Sequence, residues 1–195
     1  DLIARRGDGI ATAGDQVYAA LGAFRDTTLV ATLNPAQNAL TGTINVGCAT
    51  RYVVADADTE VFALCSNAAE AVVLDGRTGT IQSRLALPDT AETAFGVGQP
   101  ASFSPNGQEL YVATDTGILR IDTESNTVEQ TLDVGLSAPA GAVAYDGLRN
   151  QLYVARPNGF SERGTVTVHD RGGTQTSSFP AGIAPTYITL RRVDD

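Results

Sequence analysis

Few side chains in this sequence could do chemistry, and their spacing limits what each could do. His169 is the single histidine, and Asp170 follows it directly. A His-Asp pair can serve as a general base, but neighbouring residues of a strand point to opposite faces, and a nucleophile would still be required. The histidine therefore reads as structural. Asp56-Ala57-Asp58-Thr59-Glu60 alternates acids in a way that hints at calcium, yet it lacks the glycine and the distal glutamate of an EF-hand loop and reads as a charged hairpin turn. Gly96-Val97-Gly98 and Gly172-Gly173 do not stand between a strand and a helix, so neither is a phosphate loop. No GxSxG, HExxH or Walker pattern occurs. The expectation is a chain with no catalytic residue, no metal ligand set and no cofactor.

The two cysteines, Cys48 and Cys65, carry a different message. Aligning Phe62-Ala63-Leu64-Cys65 with Tyr111-Val112-Ala113-Thr114 puts a hairpin turn at residues 55 to 58, and residues whose numbers sum to 113 then face each other. Cys48 and Cys65 form such a pair. Directly opposed strand residues have Cα atoms about 4.5 to 5.5 Å apart, which a disulfide can bridge. A disulfide between them predicts an oxidising, extracytoplasmic compartment: periplasmic, cell-surface or secreted. Two cysteines alone do not make a zinc site, which needs more ligands.

Contact residues are sought in loops. The stretch from Arg156 to Gly164 is read as a long loop, with Phe160 flanked by Arg156 and Arg163. Long loops on regular scaffolds often carry binding, so these three residues are the candidate contact set. Arg6-Gly7-Asp8 is an integrin-type tripeptide, but three residues recur by chance and a plain turn is the simpler reading. Acids at Asp89 and Glu92 lie in a connection from Pro88 to Gly98.

The elements that must position these residues are short strands. In the stretch from Pro100 to Gly135, three turn signals separate four apolar runs. The turns are Ser104-Pro105-Asn106-Gly107, Asp115-Thr116-Gly117 and Asp122 to Asn126. Proline presets φ for a turn, Asn-Gly accepts hairpin geometry, and Asp or Asn side chains cap their own backbone. Four hairpin-linked strands in about 36 residues make one antiparallel meander. The unit recurs. Second-strand aromatics fall at Tyr18, Phe62, Tyr111 and Tyr153, spaced 44, 49 and 42 residues apart. Turn residues after the third strand fall at Asn34, Asp75, Asp122 and Asp170, spaced 41, 47 and 48. A four-stranded repeat of this length is the signature of a propeller blade, whose faces are buried by stacked neighbours. The predicted units span about 8–46, 47–87, 98–135 and 136–182, within a single repeat domain over 1–195. Strands of the first are expected near 10–13, 16–20, 28–33 and 40–44. The tail, Ala184 to Leu190, reads as a spare inner strand of a fifth, partial unit.

The runs Ser104 to Thr114 and Ile121 to Gly135, with Arg149 to Arg156 and Val166 to Asp170, resemble the YVTN-type β-propeller repeat family. The resemblance covers most of the chain and is tightest in the third and fourth units. It implies an all-β propeller, or part of one. Function is less constrained, because members include surface, periplasmic and redox-associated proteins. Lactonase-like and amine-dehydrogenase-like relatives keep an enzyme or redox-enzyme subunit open as the alternative.

Composition narrows the class. The chain has 195 residues, 43% of them hydrophobic, and a net charge of −9. Arginine supplies all 13 basic residues. Such an acidic chain disfavours nucleic-acid phosphates as a partner. No run of 18 apolar residues exists, so no membrane-spanning helix is expected. Four units could close alone, pair with a second chain into an eight-bladed ring, or belong to a larger assembly, and uncovered blade faces favour association. The reading is a non-enzymatic extracytoplasmic binding or scaffold module that works through protein contacts.

Overall fold

The computed structural model describes residues 9–21, 28–56, 59–65, 68–88 and 98–191. Arg6-Gly7-Asp8, Asp89 and Glu92 lie outside them. The described residues contain sixteen strands in four four-stranded antiparallel sheets and no helix. None of the described elements is therefore a helix long and apolar enough to cross a membrane. The chain divides into two compact units, Asp1–Phe95 and Gly96–Asp195.

Unit 1 holds two sheets, each in sequential strand order. The first comprises β1 (Ile10–Ala13), β2 (Gln16–Ala20), β3 (Leu29–Asn34) and β4 (Ala39–Asn45). The second comprises β5 (Thr50–Ala55), β6 (Glu60–Cys65), β7 (Glu70–Asp75) and β8 (Ile81–Ala86). Strand alternation sorts the side chains by face. Tyr18, Ala20 and Val30 of the first sheet meet Val53, Val61, Ala63, Val72 and Leu74 of the second in one buried cluster.

Unit 2 repeats the plan. Its first sheet is β9 (Ala101–Phe103), β10 (Glu109–Ala113), β11 (Ile118–Asp122) and β12 (Thr127–Leu132). Its second is β13 (Ala142–Asp146), β14 (Gln151–Asn158), β15 (Glu162–Asp170) and β16 (Gln175–Ile183). Tyr111, Ala113, Ile118 and Leu132 pack on Val143, Leu152 and Val154 between them.

The turn after each third strand is capped by its own acid or amide. Asn34 Oδ1 accepts from Gln37 N at 3.0 Å. Asp75 Oδ1 accepts from Arg77 N, Thr78 N and the Thr78 hydroxyl at 2.7 to 2.9 Å. Asp122 Oδ1 accepts from Ser125 N and Oγ, each at 2.7 Å. Asp170 Oδ1 accepts from Gly172 N and Thr174 N, each at 2.9 Å. The Thr78 and Arg77 amides lower the Asp75 pKa, and Ser125 lowers that of Asp122.

A second regularity was not read from the sequence. In every sheet the ladder between third and fourth strands bulges two residues before the cap, after Thr32, Val73, Arg120 and Val168. The extra residues on the fourth strands are Thr41, Gln82, Glu129 and Thr176, all polar, and each turns its side chain back. Thr41 donates to Thr32 Oγ1, Gln82 to Asp75 Oδ2 and Thr176 to Val168 O, while Glu129 accepts from Arg120 Nε. Such a bulge bends the outer strand and increases its twist.

Two expectations need revision. The β5–β6 register pairs Val53 with Ala63 and Val54 with Phe62, so paired numbers sum to 116 rather than 113. The reason is the turn, which Asp56 sets between 56 and 60: its carboxylate accepts from Thr59 N, Thr59 Oγ1 and Glu60 N. A bulge between Thr50 and Tyr52 then shifts the ladder, and Cys48 lies just outside it. The two cysteines are nonetheless joined by a disulfide, with Cα atoms 5.6 Å apart. The tail differs as well. Residues 184 to 191 form no ladder strand. The segment is held by Gln99, whose N donates to Thr186 O at 2.9 Å and whose Oε1 accepts from Ile188 N at 3.4 Å. A Cβ on Gly141 would fall 2.2 Å from Pro185 O, so only glycine admits this close passage.

The disulfide closes a loop with a sequence separation of 17. Replacing Cys48 and Cys65 together by serine is expected to lower unfolding stability by about 3 kcal/mol through lost loop-closure constraint, read as a lower urea midpoint; an unchanged midpoint would show the bond to be energetically silent.

Candidate functional site

The β14–β15 hairpin contains the predicted contact set, arranged differently from the expected loop. By sequence, residues 156 to 164 read as a long loop. The strands in fact continue to Asn158 and resume at Glu162, leaving only Gly159, Phe160 and Ser161 as the turn. Gly159 has φ of +71°, the left-handed conformation such a turn demands. Asn158 Nδ2 donates to Glu162 Oε2 across the neck at 2.5 Å. Phe160 stands at the tip, 80% exposed.

The flanking arginines do unlike things. Arg163 is exposed, and its Nε donates to Ala181 O on β16 at 3.2 Å. Arg156 points inward as a clamp. Its guanidinium donates through Nη1 to Gly135 O at 2.8 Å, through Nη2 to Val134 O, and through Nε to Thr167 Oγ1 at 2.8 Å. Burial lowers its pKa, but an arginine keeps its charge. Phe160 and Arg163 thus remain available for contact, whereas Arg156 is occupied in fixing the hairpin root.

His169 belongs to the same network. It is 1% exposed. Nδ1 lies 2.9 Å from Gly173 O and Nε2 lies 2.9 Å from Thr167 Oγ1. The carbonyl can only accept, so Nδ1 carries the proton and Nε2 accepts from threonine in the neutral ring. Burial lowers its pKa, against the smaller raising effect of the Gly173 carbonyl. Both ring nitrogens are occupied within the fold, which matches the structural reading of this residue.

Unit 2 also carries a cleft that sequence reading missed. Its volume is about 590 Å³, and its walls include Pro105, Glu109, Glu124, Glu129, Tyr145 and Arg171. The Glu109 carboxylate is committed to the fold. Glu109 pairs with Arg171, accepts from the Tyr111 hydroxyl at 3.0 Å and lies 3.8 Å from Arg120 Nε. Glu129 takes Arg120 at 2.9 Å. Tyr111 stacks on Tyr145, with ring centroids 4.6 Å apart. Burial first, then the Glu109 hydrogen bond, raises the Tyr111 pKa and keeps its hydroxyl a donor. These groups neutralise one another and bind the two sheets. No histidine, cysteine or serine-base pair stands among the residues that line the cleft.

Large apolar side chains are exposed elsewhere in unit 2. Phe179 and Ile183 lie on the edge strand β16, and Tyr187 and Leu190 lie on the segment that follows it.

No family model and no curated protein matches the chain. Among solved structures it is similar to hydrazine synthase of Kuenenia stuttgartiensis, with a TM-score of 0.74 and 14% identity over 91% of this chain and 50% of that one. It is also similar to a chain in the crystal structure of a mitotic checkpoint complex, with a TM-score of 0.66 and 16% identity over 88% and 49%. The chain spans about half the length of each. At such identity the likeness establishes fold alone: the four sheets are blades of β-propeller type.

Neutral, buried His169 gives a pH dependence of defined sign. A lowered folded pKa means that the unfolded chain binds the extra proton more readily, so stability is complete above about pH 6.5 and falls as pH drops below it. Replacing His169 by glutamine is expected to flatten the urea midpoint between about pH 7 and pH 5, while the wild-type midpoint falls; parallel curves would refute the assignment. Arg156→Ala is expected to cost about 2 kcal/mol, since it removes charged hydrogen bonds to two carbonyls and a hydroxyl.

Proposed function

We propose that this chain is a non-enzymatic binding or scaffold module of a protein assembly, and that it meets its partner through the β14–β15 hairpin. One observation carries the reading: Phe160 is 80% exposed at the end of a two-stranded extension. A large aromatic side chain held out on a fixed hairpin is a natural anchor for a partner's pocket. Arg163 beside it adds a charge at the rim. The exposed Phe179, Ile183, Tyr187 and Leu190 extend the supply of apolar contact surface in unit 2.

Location outside the cytoplasm is supported by the disulfide, a bond that persists in oxidising compartments. Assignment to the YVTN-type repeat family rests on the residue patterns around Tyr111 and Tyr153, and organisation of 1–195 as a single propeller domain rests on the repeat. One similar structure is that of a mitotic checkpoint complex, which agrees with a role in assembly. The second reading is a propeller subunit of a redox enzyme. Likeness to hydrazine synthase favours it, and the internal pairing of the cleft carboxylates speaks against this chain supplying the chemistry.

A photo-reactive phenylalanine analogue at position 160, expressed in the source cells, tests the proposal. The expected outcome is a discrete covalent adduct with one protein species, lost when Arg163 and Phe179 are replaced by glutamate and serine. A tip that forms no adduct, in a chain that still unfolds cooperatively, would overturn it.

A further inference from the structure

Two cysteines are too few for a metal, but the fold brings them a third ligand. Glu70 opens β7, and its carboxylate Oε1 lies 3.9 Å from Cys65 Sγ. One ligand atom from each of Cys48, Cys65 and Glu70 falls within 4.8 Å of the others. Both cysteines are buried, at 2% and 0% exposure, while the Glu70 side chain is 26% exposed. Among these three residues Glu70 is the one open to solvent, so water or an ion can approach from its side. Arg84 stands behind the carboxylate: Nη1 donates to Glu70 Oε1 at 2.8 Å and Nη2 donates to Val46 O at 2.7 Å.

We propose that Cys48, Cys65 and Glu70 form a site for a thiophilic divalent ion, zinc being the natural occupant, when the disulfide is reduced. The same residues thus offer two alternative staples, a sulfur–sulfur bond under oxidising conditions and a metal bridge under reducing ones. Two thiolates and one carboxylate, with water in the fourth position, match the three-protein-ligand pattern of open zinc sites. At zinc–sulfur distances of about 2.3 Å, tetrahedral sulfurs stand about 3.8 Å apart. Cα atoms 5.6 Å apart leave that separation within reach of side-chain rotation.

Charge favours the exchange. Reduction by a dithiol delivers two electrons to the sulfur–sulfur bond and two protons to the sulfurs, and the dithiol leaves as its own disulfide. One divalent ion then enters as the two thiol protons depart. The Glu70 carboxylate and the Arg84 guanidinium cancel before and after, so the buried site stays neutral throughout. Uncompensated charge would be costly in this environment, and none is created.

Cobalt(II) provides the probe, because thiolate ligation gives a near-ultraviolet charge-transfer absorption. The protein is reduced with tris(2-carboxyethyl)phosphine, which becomes its oxide, and titrated with cobalt and then zinc. The expected result is one equivalent of cobalt with thiolate absorption, displaced by zinc. Oxidised wild type and the Cys48→Ser, Cys65→Ser double variant should give none. Glu70→Gln should bind at least about tenfold more weakly, since losing a ligand should cost no less than losing a supporting second-layer contact. Zinc should also raise the melting temperature of the reduced wild type, but not that of the double variant. Equal affinity in Glu70→Gln, or no thiolate absorption in a reduced chain that still melts cooperatively, would overturn the proposal. So would a reduced chain that neither melts cooperatively nor regains a cooperative melt with zinc.

Discussion

The contact on which each unit depends joins the second strand of one sheet to the capped turn of the next. In unit 1, Gln16 Nε2 donates to Arg77 O and the Tyr18 hydroxyl donates to Asp75 O, each at 3.3 Å. In unit 2, Glu109 occupies the place of Gln16 and pairs with Arg171, next to Asp170. In each case the residue two before the second-strand aromatic reaches the turn that an aspartate has already shaped. The carboxylate uses its lone pairs on its own backbone, which fixes the direction of the neighbouring carbonyls and side chains. Only a turn held in one conformation can be a repeatable target for the preceding sheet. Burial, and then the negative charge of Asp75, raise the Tyr18 pKa, so that phenol remains a donor as well.

Around this contact the sheets divide their labour. Inner and middle strands carry the buried Val, Leu, Ile and Ala that make the cores of both units. Fourth strands are mainly exposed. The repeated bulge belongs to this outer layer. A polar extra residue that bonds back to the third strand satisfies its own side chain, and it keeps the edge strand from being a straight template for another chain. Pro180 adds to that protection on β16, because it has no amide hydrogen to offer. The two proposed sites lie outside this outer layer: the extended β14–β15 hairpin, and the Cys48–Cys65 bond beside Glu70.

Much of the architecture was legible because it rests on local chemistry. Ser104-Pro105-Asn106-Gly107 is a turn in any context, and here Gly107 N donates to Ser104 O at 2.9 Å with Gly107 at φ of +73°. The expected strands of the first sheet fall within one residue of β1 to β4. Local reasoning failed where two turn signals competed. Asp56 outbid the aligned position and moved the β5–β6 hairpin, which changed the register by three. It failed again at Arg156 to Gly164, where loop-type residues were drawn into strands. Arg156 shows the same limit: nothing in its local sequence signals that its guanidinium will be held by Val134, Gly135 and Thr167.

The repeat, its four-stranded unit, the capping Asp and Asn residues and the aromatic that precedes them are written in local pattern, because periodicity and turn chemistry act over a few residues. Which polar groups meet is settled only by long-range packing. Glu109 and Arg171, His169 and Thr167 and Arg156, and Glu70 with the cysteines are brought together by register, bulges and sheet stacking, which depend on distant residues at once. Binding and chemistry are properties of such meetings, and for that reason the propeller fold could be read in advance while the clamp, the cleft and the third metal ligand could not.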